Sequence, residues 1–358
     1  MKIVQVINSL GGAGAEKLVF DLALLQHELG HEVTVITLYN FDDIYGKRLA
    51  TSGVPVINLG VKKFSIVTGF KLRSYIKKLS PDVVHSHLFP ANYYVVISLI
   101  GLSVNKITTE HCTLNKRNQN KLFKLFEVFI YGQYDRIATI SDGVEAQNKK
   151  YLPAYEKRIV KINNGINLIK YQMGNANKQF VGVSENMFVV TMVARFEVEK
   201  DQKTLIRAIC KLPASIILVL VGDGSKISEA RDLVSSLSIE NRVVFLGFRQ
   251  DIPQILSLSD VVVLSSHWEG FGLSVVEGMA AGKPVIASNV DGVSDIVNGY
   301  GLLFNVGDDL TLSKHILDCY QNRAYYASLV EKSNTRAKDF DVRVTNENYL
   351  KVYSSMID

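Results

Sequence analysis

The sequence predicts an α/β protein of two Rossmann-like domains, each a parallel sheet with helices packed on it. Apolar, β-rich runs alternate with helix-period segments in two successive series, the pattern of repeated βαβ units. A polar interval at 168–187 lacks clear periodicity and separates the series. With 358 residues the chain is too long for one ordinary core and suits two, each able to bury enough apolar surface to fold.

In the first series, strands are expected at 2–7 (KIVQVI), 32–37 (EVTVIT), 55–59, 83–86, 106–109, 136–140 and 159–162. Helical patterns lie between them at 16–29, 68–78 and 121–131. The second series places strands at 188–193, 216–221, 243–245, 261–264 and 284–287, with helices near 203–211, 227–237, 251–256 and 273–281. The last segment, 341–356, is again helical in pattern.

Composition narrows the function. Hydrophobic residues make up 47% and charged residues 21%, as in a globular protein, and the net charge of +5 is too mild for a nucleic-acid binder. Cys112, Cys210 and Cys319 are odd in number and far apart, so neither a disulfide framework nor a zinc spacing is supported, and a reducing, cytoplasmic setting is expected. The amino-terminal MKIVQVIN runs straight into a glycine loop, and no apolar run reaches the ~20 residues that span a bilayer. Any membrane contact would come from the side.

Residues 264–295 carry the densest chemistry. Glu269 and Glu277 flank the turn Gly270-Phe271-Gly272, after the apolar run VVVLSS and before GKPVIAS. This is a strand, loop, helix, strand unit with its loop at the strand's carboxyl end, where open α/β sheets bind ligands. Glycines let backbone N–H groups approach a diphosphate, a helix N-terminus favours its charge, and a carboxylate in the first helical turn accepts hydrogen bonds from a ribose diol. A nucleotide sugar has all these parts. Either Glu taken alone reads equally as a solvated surface carboxylate.

Arg195 and Lys200 follow the strand FVVTMVA in the loop RFEVEKDQKT. They could clamp a diphosphate, the guanidinium bidentately and the ammonium as a point charge, or they could be two solvated loop cations. Gly11-Gly12-Ala13-Gly14-Ala15-Glu16 follows the first strand and opens a helix, so its amides could cradle an anion. It fails the G-x-G-x-x-G pattern because Glu16 holds the sixth position. NAD is not expected, nor any other cofactor. No metal is expected either: the D-x-D triplet Asp339-Phe340-Asp341 sits at the start of the terminal helix, and His85 and His87 in VVHSHL, with His111, lack the further ligands zinc requires.

Together these segments resemble the retaining glycosyltransferases of family 4. Glu269, seven intervening residues and Glu277, followed by Gly282-Lys283-Pro284-Val285-Ile286-Ala287, look like the family's donor-site signature. The glycine loop at 11–16, Thr109-Glu110-His111, Ile140-Ser141-Asp142-Gly143, Asn164-Gly165-Ile166-Asn167, Ala194-Arg195 with Lys200-Asp201, and Gly222-Asp223-Gly224 occur in the family's order. The resemblance implies the GT-B architecture: two Rossmann-like domains facing across a cleft, with a C-terminal helix crossing back to the first. The expected domains are thus 1–168 with 341–358, and 169–340.

The resemblance also implies roles. Arg195, Lys200 and the amides near Phe271, Gly272 and Leu273 stabilise the departing diphosphate, Glu277 holds the ribose, Glu269 lies near the sugar hydroxyls and His111 contacts the sugar from the first domain. Gly12 and Gly14 order the sugar and acceptor, and Gly222 is a further substrate-binding position. Lys17 stands where the family often has Arg, and Asp142, Gly143, Asn164 and Gly165 fall near the cleft and hinge, although an Asp or Asn there could equally cap a helix. The expected reaction is metal-independent, retaining transfer of a sugar, from a UDP-sugar by preference, to a lipid-linked acceptor or a growing bacterial surface polysaccharide. A nucleotide-sugar 2-epimerase and a non-catalytic sugar-nucleotide-binding subunit are the alternatives.

One segment stands apart. Residues 115–131 put Lys116, Arg117, Lys121 and Lys124 beside Leu122, Phe123, Leu125, Phe126, Phe129 and Ile130. This reads as a core helix with a charged face, or as an interfacial patch for anionic lipid on the inner face of the plasma membrane.

Overall fold

The structure, a computed structural model, describes residues 1–40, 44–112 and 121–357, the side chains of 121–123 excepted. The chain divides into two compact units: Met1–Gly165 with Val342–Asp358, and Ile166–Asp341.

The first unit is built on Lys2–Ile7 (β1), Glu32–Thr37 (β2), Val56–Asn58 (β3), Val83–His87 (β4), Asn105–Glu110 (β5), Arg136–Thr139 (β6) and Ile159–Lys161 (β7). They form one sheet in the order β3-β2-β1-β4-β5-β6-β7, every pair parallel. Successive side chains on a strand point to opposite faces, and the two cores divide accordingly. Val4 and Val6 join Leu72, Ile76, Val95 and Val96 on one face. Ile3 and Ile7 join Leu18, Leu22, Tyr349 and Tyr353 on the other. The terminal helix Val342–Ile357 therefore completes the core of the first unit, not of the second.

The second unit follows the same logic with Phe188–Val193 (β8), Ile216–Val221 (β9), Val243–Phe245 (β10), Val261–Leu264 (β11), Val285–Ser288 (β12) and Leu302–Phe304 (β13). The order is β10-β9-β8-β11-β12-β13, again parallel throughout. β13 is not anticipated by sequence. The interval 168–187 is not a bare linker. It carries the helix Leu168–Gln172, which buries Leu168 and Tyr171 one turn apart and is capped by the Asn167 side chain. One buried turn leaves no periodic signature.

Strand order reverses between β1 and β4 in the first sheet and between β8 and β11 in the second. At such a reversal the flanking loops diverge and leave a crevice at the carboxyl ends of the strands. In the second unit the loops that carry Arg195, Lys200 and Glu269 follow the two strands of that reversal.

Candidate active site

In the second unit, Arg195 and Lys200 lie on the loop after β8, and Glu269 on the loop after β11. Because β8 and β11 are neighbours, these loops meet, and Lys200 Nζ forms an ion pair with Glu269 Oε1. Both side chains are largely buried, and Ser266 Oγ donates to the same carboxylate oxygen at 2.7 Å. Arg195 behaves differently. Its side chain is 68% exposed and pairs with Glu199 at 3.1 Å. Of the two expected diphosphate cations, Lys200 is fixed and Arg195 stands at the rim.

Glycine positions hold these loops together. Gly222, at φ 136°, has a backbone on which a Cβ would come 2.1 Å from the carbonyl oxygen of Ala194. A side chain there would push the Arg195 loop off the β9 loop. Gly292, after β12, packs so closely under the Glu269–Gly270 backbone that a Cβ would lie 2.8 Å from Gly270 O. Gly292 was not anticipated, since only the β12 loop's path under the turn gives it meaning.

Glu277 sits in the second turn of the helix Leu273–Ala280, not the first, because the helix starts only after the left-handed N-cap Gly272. It is buried, and Tyr171 donates its hydroxyl hydrogen to Glu277 Oε1 at 2.5 Å. Tyr171 comes from the interval expected to be a linker. Phe271 is buried edge-on against Phe340, ring centroids 5.5 Å apart, so its side chain is an anchor and only its backbone is suited to a donor.

In the first unit the glycine loop departs from expectation. The amides of Gly12 and Ala13 both donate to Glu16 Oε2 at 2.7 Å, and Ser9 donates to Oε1. These N–H groups hold the protein's own carboxylate instead of an external anion. The helix then begins at Gly14. Glu16 three residues after the N-cap makes this a capping arrangement, legible in hindsight as an acid in the first turn.

His111 follows β5 and is half-buried. Its Nε2 lies 3.3 Å from Nδ1 of His87, whose Nε2 lies 2.9 Å from Gln5 Oε1. His85 bonds through its two nitrogens to Tyr353 at 2.6 Å and Thr109 at 2.7 Å. Burial pushes the His111 pKa down to about 4 and holds those of His85 and His87 well below the ordinary 6.5, with neighbouring rings adding to the effect on the latter two. The three rings therefore act as neutral hydrogen-bonding groups. Gln5 and Tyr353 were missed because an isolated Gln on a strand and a Tyr on a terminal helix carry no local signal.

Other expected positions resolve into structure. Asp142 pairs with Lys161, while Ser141 caps the helix Asp142–Tyr151. Asp339 pairs with Arg336 at 2.9 Å, and Asp341 is buried where its backbone bridges Ile166. Lys116 and Arg117 lie outside the described residues, as do the side chains of Lys121, Leu122 and Phe123. On the rest of that helix Leu125, Phe126 and Phe129 are exposed, and Ile130 is buried. No helix among the described residues is long and apolar enough to cross a membrane.

Comparison with known proteins bears on the family and the fold. Residues 12–170 match the sequence model of Glycosyltransferase Family 4, and residues 175–336 that of Glycosyl transferases group 1. The chain belongs to glycosyltransferase family 4. This family 4 chain is 24% identical over 343 residues to the N-acetyl-alpha-D-glucosaminyl L-malate synthase of Bacillus anthracis, covering 91% of this chain and 88% of that one. It is 28% identical over 267 residues to the UDP-Gal:alpha-D-GlcNAc-diphosphoundecaprenol alpha-1,3-galactosyltransferase of Escherichia coli, covering 68% and 67%. In fold it is similar to Anabaena HepE, solved in complex with UDP-glucose, with a TM-score of 0.88 at 24% identity over 99% of this chain and 100% of that one. The architecture is GT-B, and the protein is a glycosyltransferase acting on nucleotide sugars.

Proposed function

We propose that the enzyme transfers a sugar, with retention of anomeric configuration and without a metal, from a UDP-sugar to a lipid-linked or polysaccharide acceptor. The observation that carries this reading is the Lys200–Glu269 pair at the β8/β11 reversal, beside the glycine-capped start of the helix that bears Glu277. A cation and a helix N-terminus at one crevice supply fixed positive potential where a leaving diphosphate develops charge. When a donor arrives, Lys200 can exchange its Glu269 partner for a phosphate oxygen, which frees the carboxylate to accept sugar hydroxyls. Glu277, oriented by Tyr171, accepts from the ribose diol. Arg195, exposed and held to Glu199 by a surface ion pair, can swing onto the diphosphate.

UDP as the nucleotude carrier is supported by the solved UDP-glucose complex of HepE, and a lipid-linked acceptor by the name of the E. coli relative. We place the enzyme on the cytoplasmic face, in reach of such an acceptor. A thermal-shift panel of UDP-, GDP- and ADP-sugars tests the donor, since a ligand that binds only the folded state raises the melting temperature. Stabilisation by GDP- or ADP-sugars alone would overturn the UDP assignment. Incubating donor alone and separating the products distinguishes transfer from 2-epimerisation.

A further inference from the structure

A second surface of the first unit has no part in the chemistry above. It is formed by residues 61–66, the first turns of the helix Val67–Leu79, and the end of the helix Ala91–Leu99. Phe64 is 67% exposed, Ile66 80% and Phe70 72%, with Ile97 and Ile100 exposed beside them. The two helices are in contact: Arg73 donates to the carbonyls of Ser98 and Ile100 at 2.8 and 2.7 Å, and the backbone at Gly69 approaches Ile97. Large apolar side chains concentrated on one exposed face mark an interaction site.

The charge on this surface is one-sided. Residues 60–80 contain six cations, Lys62, Lys63, Lys71, Arg73, Lys77 and Lys78, and no Asp or Glu, although the whole chain is only +5. The helix Ala91–Leu99 has no charged residue at all. Ile66, Phe70 and Lys77 fall on one stripe of the Val67–Leu79 helix, apolar at its start and basic at its end. An aromatic row, Phe64 to Phe89 at 6.0 Å, Phe89 to Tyr93 at 4.9 Å and Tyr93 to Phe126 at 5.7 Å, joins this face to the Lys121–Gly132 helix.

We propose that this face docks on an anionic lipid bilayer, with Phe64, Ile66 and Phe70 entering the interface and Lys62, Lys63 and Lys77 meeting lipid phosphates. Apolar side chains ringed by cations match a surface that offers hydrocarbon beneath negative headgroups. A second copy of this chain fits poorly, because a two-fold contact would set these cations against themselves, and residues 60–80 carry no acid to answer them. The inference stands apart from the acceptor assignment and from the 115–131 segment; it rests on the exposed residues of this surface.

The test is co-sedimentation of the full chain with vesicles of phosphatidylglycerol and phosphatidylcholine, against phosphatidylcholine alone. The wild type should pellet with the anionic vesicles at low salt and be released by high salt, because exposed charges are screened. Phe64→Ser, Ile66→Ser and Phe70→Ser combined should reduce binding tenfold or more, and Lys62→Glu, Lys63→Glu and Lys77→Glu combined should lose at least about fivefold per cation. Calorimetric UDP affinity should hold in both variants, which distinguishes failure of this inference from failure of the donor reading. A wild type that ignores anionic vesicles overturns the proposal. So does a serine variant that pellets normally while Leu125→Ser with Phe129→Ser does not, or one whose only change is loss of a dimer in sedimentation.

Discussion

His87 Nδ1 lies 3.3 Å from His111 Nε2, and through His87 the ring expected to touch the sugar is tied to Gln5 on β1. Gln5 in turn donates to Tyr353 on the terminal helix at 3.3 Å. A neutral imidazole has one donor and one acceptor nitrogen, so a partner on one nitrogen decides what the other can offer. The groups behind His111 therefore bias which of its nitrogens carries the proton.

His87→Phe should lower kcat about tenfold, the value of one hydrogen bond, with UDP affinity unchanged. His87→Asn, which keeps a polar group at that place, should recover part of the loss. Equal kcat for the wild type and the Phe variant would remove His87 from the mechanism.

Lys200→Ala should cut turnover by about 10²-fold or more, by analogy with removing one preorganised charge donor. It should also lower the melting temperature, because Glu269 loses its cation in a largely buried setting. Arg195→Ala should match it in turnover and not in stability, since the Arg195–Glu199 pair is exposed. Steady-state kinetics with thermal melts on both variants check the contrast.

Glu277→Gln should weaken UDP binding by roughly 1.5–3 kcal/mol for each charged hydrogen bond to the ribose. Tyr171→Phe removes only the group that orients the carboxylate and should cost less. Calorimetry giving the wild-type affinity for Glu277→Gln would refute the ribose assignment.

Transfer should survive excess EDTA. The Lys200 and Arg195 cations are assigned the charge that a divalent ion would otherwise supply. An enzyme that stops in EDTA and restarts with Mn²⁺ would show that assignment to be wrong.

Acid should destabilise the first unit through its histidines. Burial holds the pKa values of His85, His87 and His111 below 6.5, so on acidification the unfolded chain takes up protons that the folded chain refuses. The stability is present above the ordinary histidine value and is lost as pH falls below about 6.5, toward about 4 for His111 and in the same direction for His85 and His87, by up to about 1.4 kcal/mol per pH unit for each ring. Denaturant midpoints between pH 7 and pH 4.5 should show a slope that His87→Asn with His111→Asn reduces.

Much of this was legible in the chain itself. Apolar runs such as IILVLV at Ile216–Val221 are buried on both faces, so they announce parallel strands from composition alone. Loops that follow those strands must emerge at one edge of the sheet, which is where Arg195, Lys200, Gly222 and Glu269 fall, while their shared role was implied by the family resemblance.

Partnership was decided only by tertiary structure. Lys200 and Glu269 are 69 residues apart and meet because β11 returns beside β8. Tyr171 and Glu277 are 106 apart and meet through a helix of one buried turn. The Gly12 and Ala13 amides are taken by Glu16, and Tyr353 reaches His85 from the far end of the chain. Local pattern records which residues are buried and with what period. Which buried polar group completes which other depends on strand order and helix return, and these are settled by the packing of the whole sheet.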